Sequence, residues 1–114
     1  MRAKGGTVTR RRHKKILKST KGYRMTKSKL YKVAHEAHLH AGQYSYQGRK
    51  KRKNQMRRVW ITRINAAVKN KGLSYNRFMH NLRQKDVQLN RHMLSEIAVN
   101  YPETFSTIVD TAQS

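Results

Sequence analysis

The sequence predicts an all-α fold, in which a long basic N-terminal helical extension is followed by a small C-terminal helical domain. Apolar residues recur at helical spacing, whereas alternating strand patterns and Asn-Gly hairpin turns are absent. Residues 1–58 hold 20 Lys or Arg and one acid, and residues 59–114 hold 7 Lys or Arg and four acids. Apolar residues are distributed the other way, with 17 in the first segment and 24 in the second. We therefore predict a basic helical arm over residues 1–58 and a small globular helical domain over residues 59–114.

The first helix is predicted near the start of the arm. Thr7 or Thr9 can cap its N-terminus, because a hydroxyl oxygen can accept from the free N–H groups of the first turn. The helix then passes through the basic run that begins at Arg10. Gly22 is predicted to end it, since glycine readily adopts the left-handed conformation that follows many helices.

A second, much longer helix is predicted to begin after Thr26, which can cap it. It can run from about residue 27 to 71, because no proline precedes Pro102. Gly42 and Gly48 are positions at which it can kink. Its early apolar stripe is narrow, so the free helix is expected to be poorly stable. The arm is therefore expected to become ordered when it binds a partner.

The apolar face widens towards the end of this helix, where the domain core is predicted to begin. The residues that form this broader face are Met56, Val59, Trp60, Ile64, Ala67 and Val68. Trp60 is assigned to the core in preference to a base-stacking role.

Three shorter helices are predicted to complete the domain. Ser74 can cap one, Asn90 can cap the next, and Asn100 with Glu103 resembles a capping box with Pro102 in the first turn of the last. Their predicted core residues are Tyr75, Phe78, Met79, Leu82, Met93, Leu94, Ile97, Ala98, Phe105, Ile108, Val109 and Ala112.

The composition excludes several classes of protein. The formal net charge is +22, the pI is about 11.3, and there is no Cys, so neither disulfides nor a thiol nucleophile can form. The mean hydropathy is -0.98, and no apolar run is long enough for a membrane span or a secretory signal. Such a large single-sign charge instead predicts a polyanionic partner.

Catalysis and metal binding are not predicted. His35 and His38 are three residues apart, and Leu39 stands where a zinc-protease helix would place its second His. The glycines match neither phosphate-loop motif, and no paired carboxylates are apparent. We therefore expect no enzyme activity, no cofactor and no metal, and we interpret the histidines as polar residues beside a polyanion.

The basic runs predict nucleic-acid binding, because mixed charges are typical of a solvated face and only one acid occurs among the 21 charges of residues 1–58. Tyr23, Tyr31, Tyr44 and Tyr46 lie among these cations and could either stack on unpaired bases or pack on their own helix. The residues predicted to contact the nucleic acid, called here the RNA-contacting set, are Arg10, Arg11, Arg12, His13, Lys14, Lys15, Lys18, Lys21, Tyr23, Arg24, Lys27, Lys29, Lys32, Arg49, Lys50, Lys51, Arg52, Lys53, Arg57, Arg58 and Arg63.

One alternative function remains at this point, and two others are disfavoured. A basic DNA-binding architectural protein of the nucleoid type fits the charge, although no leucine heptad follows to dimerise a basic-zipper arm. A nuclease lacks carboxylates clustered for metal ions. A basic amphipathic membrane helix is disfavoured, because bulky apolar residues are sparse along the arm.

Several segments resemble the bacterial-type large-subunit ribosomal protein L20 family, in order over nearly the whole chain. They are residues 11–18 (RRHKKILK), 21–23 (KGY), 41–44 (AGQY), 57–67 (RRVWITRINAA), 72–78 (GLSYNRF) and 89–91 (LNR). The resemblance implies a structural protein that binds large-subunit (23S-type) rRNA directly and early in assembly of the large (50S-type) subunit. It implies an arm that threads between rRNA segments and a small helical domain at the solvent side of the subunit.

The same resemblance implies the neighbours and the location of the protein. The expected neighbours are ribosomal proteins of the L13 and L21 families, and a homo-oligomer is not expected. Some members also repress their own operon by binding a messenger leader. The expected location is the cytoplasmic ribosome, and the apparent lack of a transit segment favours a bacterial ribosome over an organellar one.

Overall fold

A computed structural model describes residues 4–114, and these residues form α-helices with no β-strand among them. The elements are α1 (Thr7–Ser19), a short 3-10 helix (Met25–Ser28), α2 (Tyr31–Lys69), α3 (Tyr75–Gln84), α4 (Arg91–Asn100) and α5 (Pro102–Gln113). The predicted all-α fold, with a long helix followed by a smaller helical region, is confirmed. The first three residues of the predicted arm lie outside the described residues.

The chain divides into two compact units, one that ends at Lys50 and one that runs from Lys51 to Ser114. The predicted division into residues 1–58 and residues 59–114 therefore stays a prediction. None of the helices in the described part of the chain is both long enough and apolar enough to cross a lipid bilayer.

In the first unit, α1 contacts the start of α2 through polar and aromatic side chains. The His13 ring stacks on the Tyr31 ring at a centroid distance of 3.8 Å. One and a half turns later, the Ser19 hydroxyl lies 3.0 Å from Nδ1 of His38. Only Ala34 and Thr20 are fully buried among the described residues up to Lys50, so this unit has very little core.

The ends of α1 differ in part from the prediction. Gly6, and neither Thr7 nor Thr9, occupies the N-cap position, and no side chain caps the helix there. At the other end, the helix stops at Ser19, and Gly22 follows with a φ of 88°. The prediction that Gly22 marks the end of this helix is confirmed, because that backbone conformation favours glycine.

The start of α2 was predicted too early. Thr26 lies inside the 3-10 helix, and its carbonyl accepts from the N–H groups of Lys29 and Leu30. The Leu30 carbonyl then accepts from Ala34 N at 2.9 Å, which starts the α-helical bonding. The long helix consequently begins at Tyr31, and it runs without a break through both glycines at which a kink was expected.

In the second unit, the end of α2 and the three shorter helices surround one apolar core, and α5 packs against both α3 and α4. The buried side chains of this core are Ile64, Val68, Phe78, Leu82, Leu94, Phe105, Val109 and Ala112. The rings of Phe78 and Phe105 lie 5.7 Å apart, so α3 and α5 meet through aromatic contact. All eight residues were predicted as core.

Helix caps define the boundaries of the shorter helices. The Ser74 hydroxyl accepts from Arg77 N at 3.4 Å, and Oδ1 of Asn90 accepts from Met93 N at 2.8 Å, so both predicted caps are confirmed. Pro102 opens α5 as predicted. The capping box predicted for Asn100 is wrong, because Asn100 ends α4 and Tyr101 occupies the N-cap position without a side-chain bond.

The predicted core also extended too far towards the N-terminus of the domain. Met56 is 39% exposed and Val59 is 40% exposed. Trp60 is half-buried, stands edge-on to His92 at 5.1 Å and lies outside the buried core. Met93, on α4, is 44% exposed as well.

Candidate nucleic-acid interface

The helix α1 separates its cations from its packing face. His13, Ile16, Leu17 and Thr20 recur at i, i+3, i+4 and i+7, and all four are buried or half-buried. The remaining face is exposed and carries Arg10, Arg11, Arg12, Lys14, Lys15 and Lys18. Like charges four residues apart, such as Arg10 and Lys14, destabilise a helix by about 0.2–0.5 kcal/mol per pair. This face is therefore stabilised by any array of phosphates that neutralises it.

The connection from α1 to α2 continues the basic surface. Its exposed cations are Lys21, Arg24, Lys27 and Lys29, and Lys32 follows in the first turn of α2. Tyr23 is 39% exposed in the same segment. Met25 has a φ of 58° and is 89% exposed, so an apolar side chain projects from the connection next to Arg24.

The run from Arg49 to Lys53 lies on α2, and all five cations are exposed. Five consecutive helical residues span more than one turn, so cations point to all sides of the helix here. Arg49 donates to the Ser45 hydroxyl at 2.6 Å, and Nζ of Lys50 lies 5.3 Å from the centroid of the Tyr46 ring. These two contacts orient side chains that would otherwise be unrestrained.

Further along α2, Arg57, Arg58 and Arg63 are exposed. Arg63 immediately precedes the buried Ile64, so its backbone is held by the core of the second unit. A cation fixed in this way loses less conformational entropy on binding than one on a poorly packed segment.

Acidic neighbours do not neutralise these cations within residues 4–114. In this part of the chain, Lys71 pairs with Asp110 at 3.4 Å, and Nε2 of His92 lies 3.9 Å from Glu96. Neither pair includes a member of the RNA-contacting set. Its 19 Lys and Arg residues are all exposed, which leaves them accessible to an external anion.

The interpretation of the histidines as polar residues beside a polyanion stays a prediction, and several of them have partners inside the protein. His13 and His35 both contact the Tyr31 ring, His40 lies 6.0 Å from the Tyr44 ring, and His38 contacts the Ser19 hydroxyl. His13 is also the one half-buried member of the RNA-contacting set. Over the described range, no three His, Asp or Glu side chains come together in a way that could hold a metal ion.

The sequence analysis missed two features. One is a groove of about 470 Å³ in the first unit, lined by Tyr23, Lys27, Val33, Glu36, Ala37, His40, Ala41 and Tyr44. The signal for it was the small residues Ala37 and Ala41 on one face, which leave space beside the helix. The other is a bond of 2.8 Å from Nε of Arg91 to the Tyr75 hydroxyl, which joins two helices and has no local sequence signal.

Comparison with known proteins places the chain in a family. Residues 2–108 match the family of Ribosomal protein L20. The chain is similar to the large ribosomal subunit protein bL20 of Staphylococcus carnosus, at 48% identity over 113 residues that cover 99% of the chain and 96% of that relative. It is also similar to proteins of the same name from Chloroflexus aggregans, at 50% identity with 99% and 95% coverage, and from Caldanaerobacter subterraneus, at 51% identity with 98% and 94% coverage. The suggested resemblance is thereby confirmed: the chain belongs to the ribosomal protein L20 family.

Proposed function

We propose that this chain is a structural, non-enzymatic component of the large ribosomal subunit and that it binds large-subunit rRNA directly. The observation that carries the proposal is the exposure of all 19 Lys and Arg residues of the RNA-contacting set, none of which is ion-paired within residues 4–114. Family membership favours rRNA as the polyanion and the ribosome of the cytoplasm as the location.

In the proposed mechanism, the arm neutralises phosphates from several rRNA segments that would otherwise repel one another. Lys and Arg residues supply this neutralisation, and phosphate contacts position the protein without reading sequence. Arg57, Arg58 and Arg63 position the C-terminal domain against the rRNA. Specificity then comes from the shape of the RNA and from bases that are not paired.

The finer assignments are supported by the family alone. They are an early role in assembly of the large subunit, contacts with ribosomal proteins L13 and L21, the absence of a homo-oligomer, and translational self-repression through a messenger leader. Co-sedimentation with large subunits and crosslinking to large-subunit rRNA test the main proposal directly, which is association with the large subunit and rRNA binding.

The first prediction concerns the cationic face of α1. In the variant Arg10→Gln, Lys14→Gln and Lys18→Gln, three exposed charges are removed from one face. Each phosphate contact contributes about 0.7–0.9 to the slope of log K against log salt. We therefore expect the slope for a large-subunit rRNA fragment to fall in magnitude by about 2–3.

A matched variant separates this effect from a general loss of charge. Lys69→Gln, Arg77→Gln and Lys85→Gln remove three exposed charges from the second unit, outside the RNA-contacting set. We expect a smaller change of slope for this control. Equal changes in the two variants would contradict the assignment of the electrostatic contacts to the arm. Binding duplex DNA as tightly as the rRNA fragment, at about 0.15 M salt, would favour the architectural DNA-binding alternative.

A further inference from the structure

The groove in the first unit contains the only acid of the first 58 residues, and this acid lies among the basic residues of the arm. Glu36 lines the groove together with Lys27, His40 and two tyrosines, Tyr23 and Tyr44. With a volume of about 470 Å³, the groove has ample space for one planar base. Its walls also include the apolar surfaces of Val33, Ala37 and Ala41.

The position of Glu36 is unfavourable if the groove faces phosphates alone. A carboxylate beside a polyanion is repelled, and Glu36 forms no ion pair with the described residues, although Lys27 lines the same groove. The residue lies beyond the first turn of α2, so it gains little from the helix dipole. A carboxylate at this position is favourable if it accepts hydrogen bonds from a donor on the RNA.

Guanine is the RNA base that best fits a carboxylate. Its Watson–Crick edge presents two adjacent N–H donors, N1–H and the N2 amino group, which match the two acceptor oxygens of an ionised Glu. Adenine and cytosine each present one amino group beside a ring nitrogen that is an acceptor and repels the carboxylate. Uracil presents one N–H between two carbonyl oxygens.

The tyrosines supply the second requirement of a base site, which is a surface for stacking. Tyr44 is 65% exposed and lies 6.0 Å from the His40 ring, with the two planes inclined by 25°. Tyr23, on the connection, borders the same groove and is 39% exposed. Aromatic side chains of this kind are the usual platforms for unpaired bases in RNA.

We propose that this groove binds one unpaired guanine base of an RNA, with Glu36 as the acceptor for its Watson–Crick edge and the rings of Tyr23 and Tyr44 as its stacking surfaces. Lys27, an exposed cation of the connection that lines the same groove, can then contact a flanking phosphate. The proposal extends the proposed function and rests on it for the class of partner, which is RNA.

Short RNA probes test the proposal on the full chain. The probes are fluorescently labelled uridine oligoribonucleotides with one central guanosine, inosine, adenosine or cytidine, and binding is followed by anisotropy at about 0.15 M salt. Inosine keeps N1–H but lacks the N2 amino group. We expect the guanosine probe to bind about tenfold more tightly than the inosine probe. In Glu36→Gln, the side-chain amide opposes one donor of guanine, so this ratio is expected to fall to about one.

Three further variants, two of which are matched controls, distinguish base recognition from charge and from general stacking. Glu103→Gln makes the same change of charge in the second unit and is expected to keep the native ratio. Tyr44→Ala is expected to weaken binding of the guanosine probe about tenfold. Tyr46→Ala removes a ring of similar exposure that lies outside the groove and is expected to have a smaller effect.

The outcomes separate this proposal from the proposed function. Equal binding of all four probes, or a ratio that is the same in Glu36→Gln and the native chain, overturns the guanine site. Tighter binding of every probe by the same factor in Glu36→Gln also overturns it, because Glu36 then acts only by repelling phosphates. Salt-dependent binding to the rRNA fragment together with any of these results leaves the proposed function intact. A guanosine preference without binding to the rRNA fragment overturns the proposed function instead.

Discussion

At the scale of single residues, partners within the chain decide which polar side chains are free to bind an external ligand. His13 belongs to the RNA-contacting set, yet its ring is half-buried against Tyr31. Arg91 was assigned no role, yet it bonds the Tyr75 hydroxyl and connects α4 to α3. A residue type in the sequence indicates which chemistry is available, and the partners of that residue determine whether it is accessible.

Ser95 gives a prediction at this scale. It is fully buried on α4, and its hydroxyl has no hydrogen-bond partner in the described structure. A buried unpaired hydroxyl costs about 1–3 kcal/mol, and alanine also has the higher helix propensity. We therefore expect Ser95→Ala to raise the free energy of unfolding by about 1 kcal/mol, measured by urea denaturation with Trp60 fluorescence as the probe.

A serine on the neighbouring helix provides the control for Ser95. Ser106→Ala, on α5, makes the same change of residue at a half-buried position and is expected to yield only the gain in helix propensity, about 0.5 kcal/mol. If Ser95→Ala lowers the free energy of unfolding, its hydroxyl forms a hydrogen bond that stabilises the native state.

At the scale of elements, local signals predicted helix starts where a polar side chain caps the backbone. Ser74 and Asn90 cap α3 and α4, and Pro102 opens α5, as the sequence indicated. At Thr26, the backbone forms a 3-10 helix instead, because the carbonyl of Thr26 bonds within that turn. A hydroxyl residue can cap several kinds of turn, so its presence alone did not determine where α2 begins.

The extent of the core could not be predicted from periodicity alone. Helical spacing indicates which face of α2 is apolar, but it does not indicate how far the neighbouring helices cover that face. In the second unit, full burial on α2 begins at Ile64, and Met56 and Val59, on earlier turns, remain exposed. The groove could not be predicted for the same reason, since small residues on one helix leave a space whose other wall comes from the connection.

Glycine positions give a prediction about elements. Gly72 follows α2 with a φ of 76°, and the bond from Leu73 N to Val68 O, at 3.2 Å, closes the end of the helix there. Gly48 is an exposed residue inside the helix, and a Cβ at either glycine would meet nothing within 4 Å. The alanine substitutions at these two positions therefore differ only in how they affect the backbone.

We expect Gly72→Ala to lower the free energy of unfolding by about 1–2 kcal/mol, because alanine is strained in the left-handed conformation. We expect Gly48→Ala to stabilise the helix locally by about 0.5–1 kcal/mol and to increase the far-ultraviolet circular dichroism of the free chain. Urea denaturation measures the first effect. A stabilising Gly72→Ala would show that the chain can end α2 by another route.

At the scale of the whole molecule, charge and core are found in different parts of the chain. Residues 1–58 contain 20 of the 27 Lys and Arg residues, whereas every member of the main buried core lies between Ile64 and Ala112. Buried apolar surface is the main stabilising contribution that offsets the conformational entropy of the chain. Among the described residues of the first unit, Thr20 and Ala34 are the two that are fully buried, and they cannot supply enough of it.

The last prediction follows from this separation. We expect free residues 59–114 to unfold cooperatively in urea, since this fragment contains all eight residues of the main buried core. We expect free residues 1–58 to be mostly unstructured and to become helical when a large-subunit rRNA fragment is added, because only then are the like charges on α1 neutralised. Far-ultraviolet circular dichroism measures both.

A longer fragment, residues 51–114, is expected to have the same urea midpoint as residues 59–114, because Met56 is exposed and few core contacts precede Val59. A large difference in midpoint would place the boundary near Lys50 instead, and a stable helix in the isolated arm without RNA would contradict folding on binding.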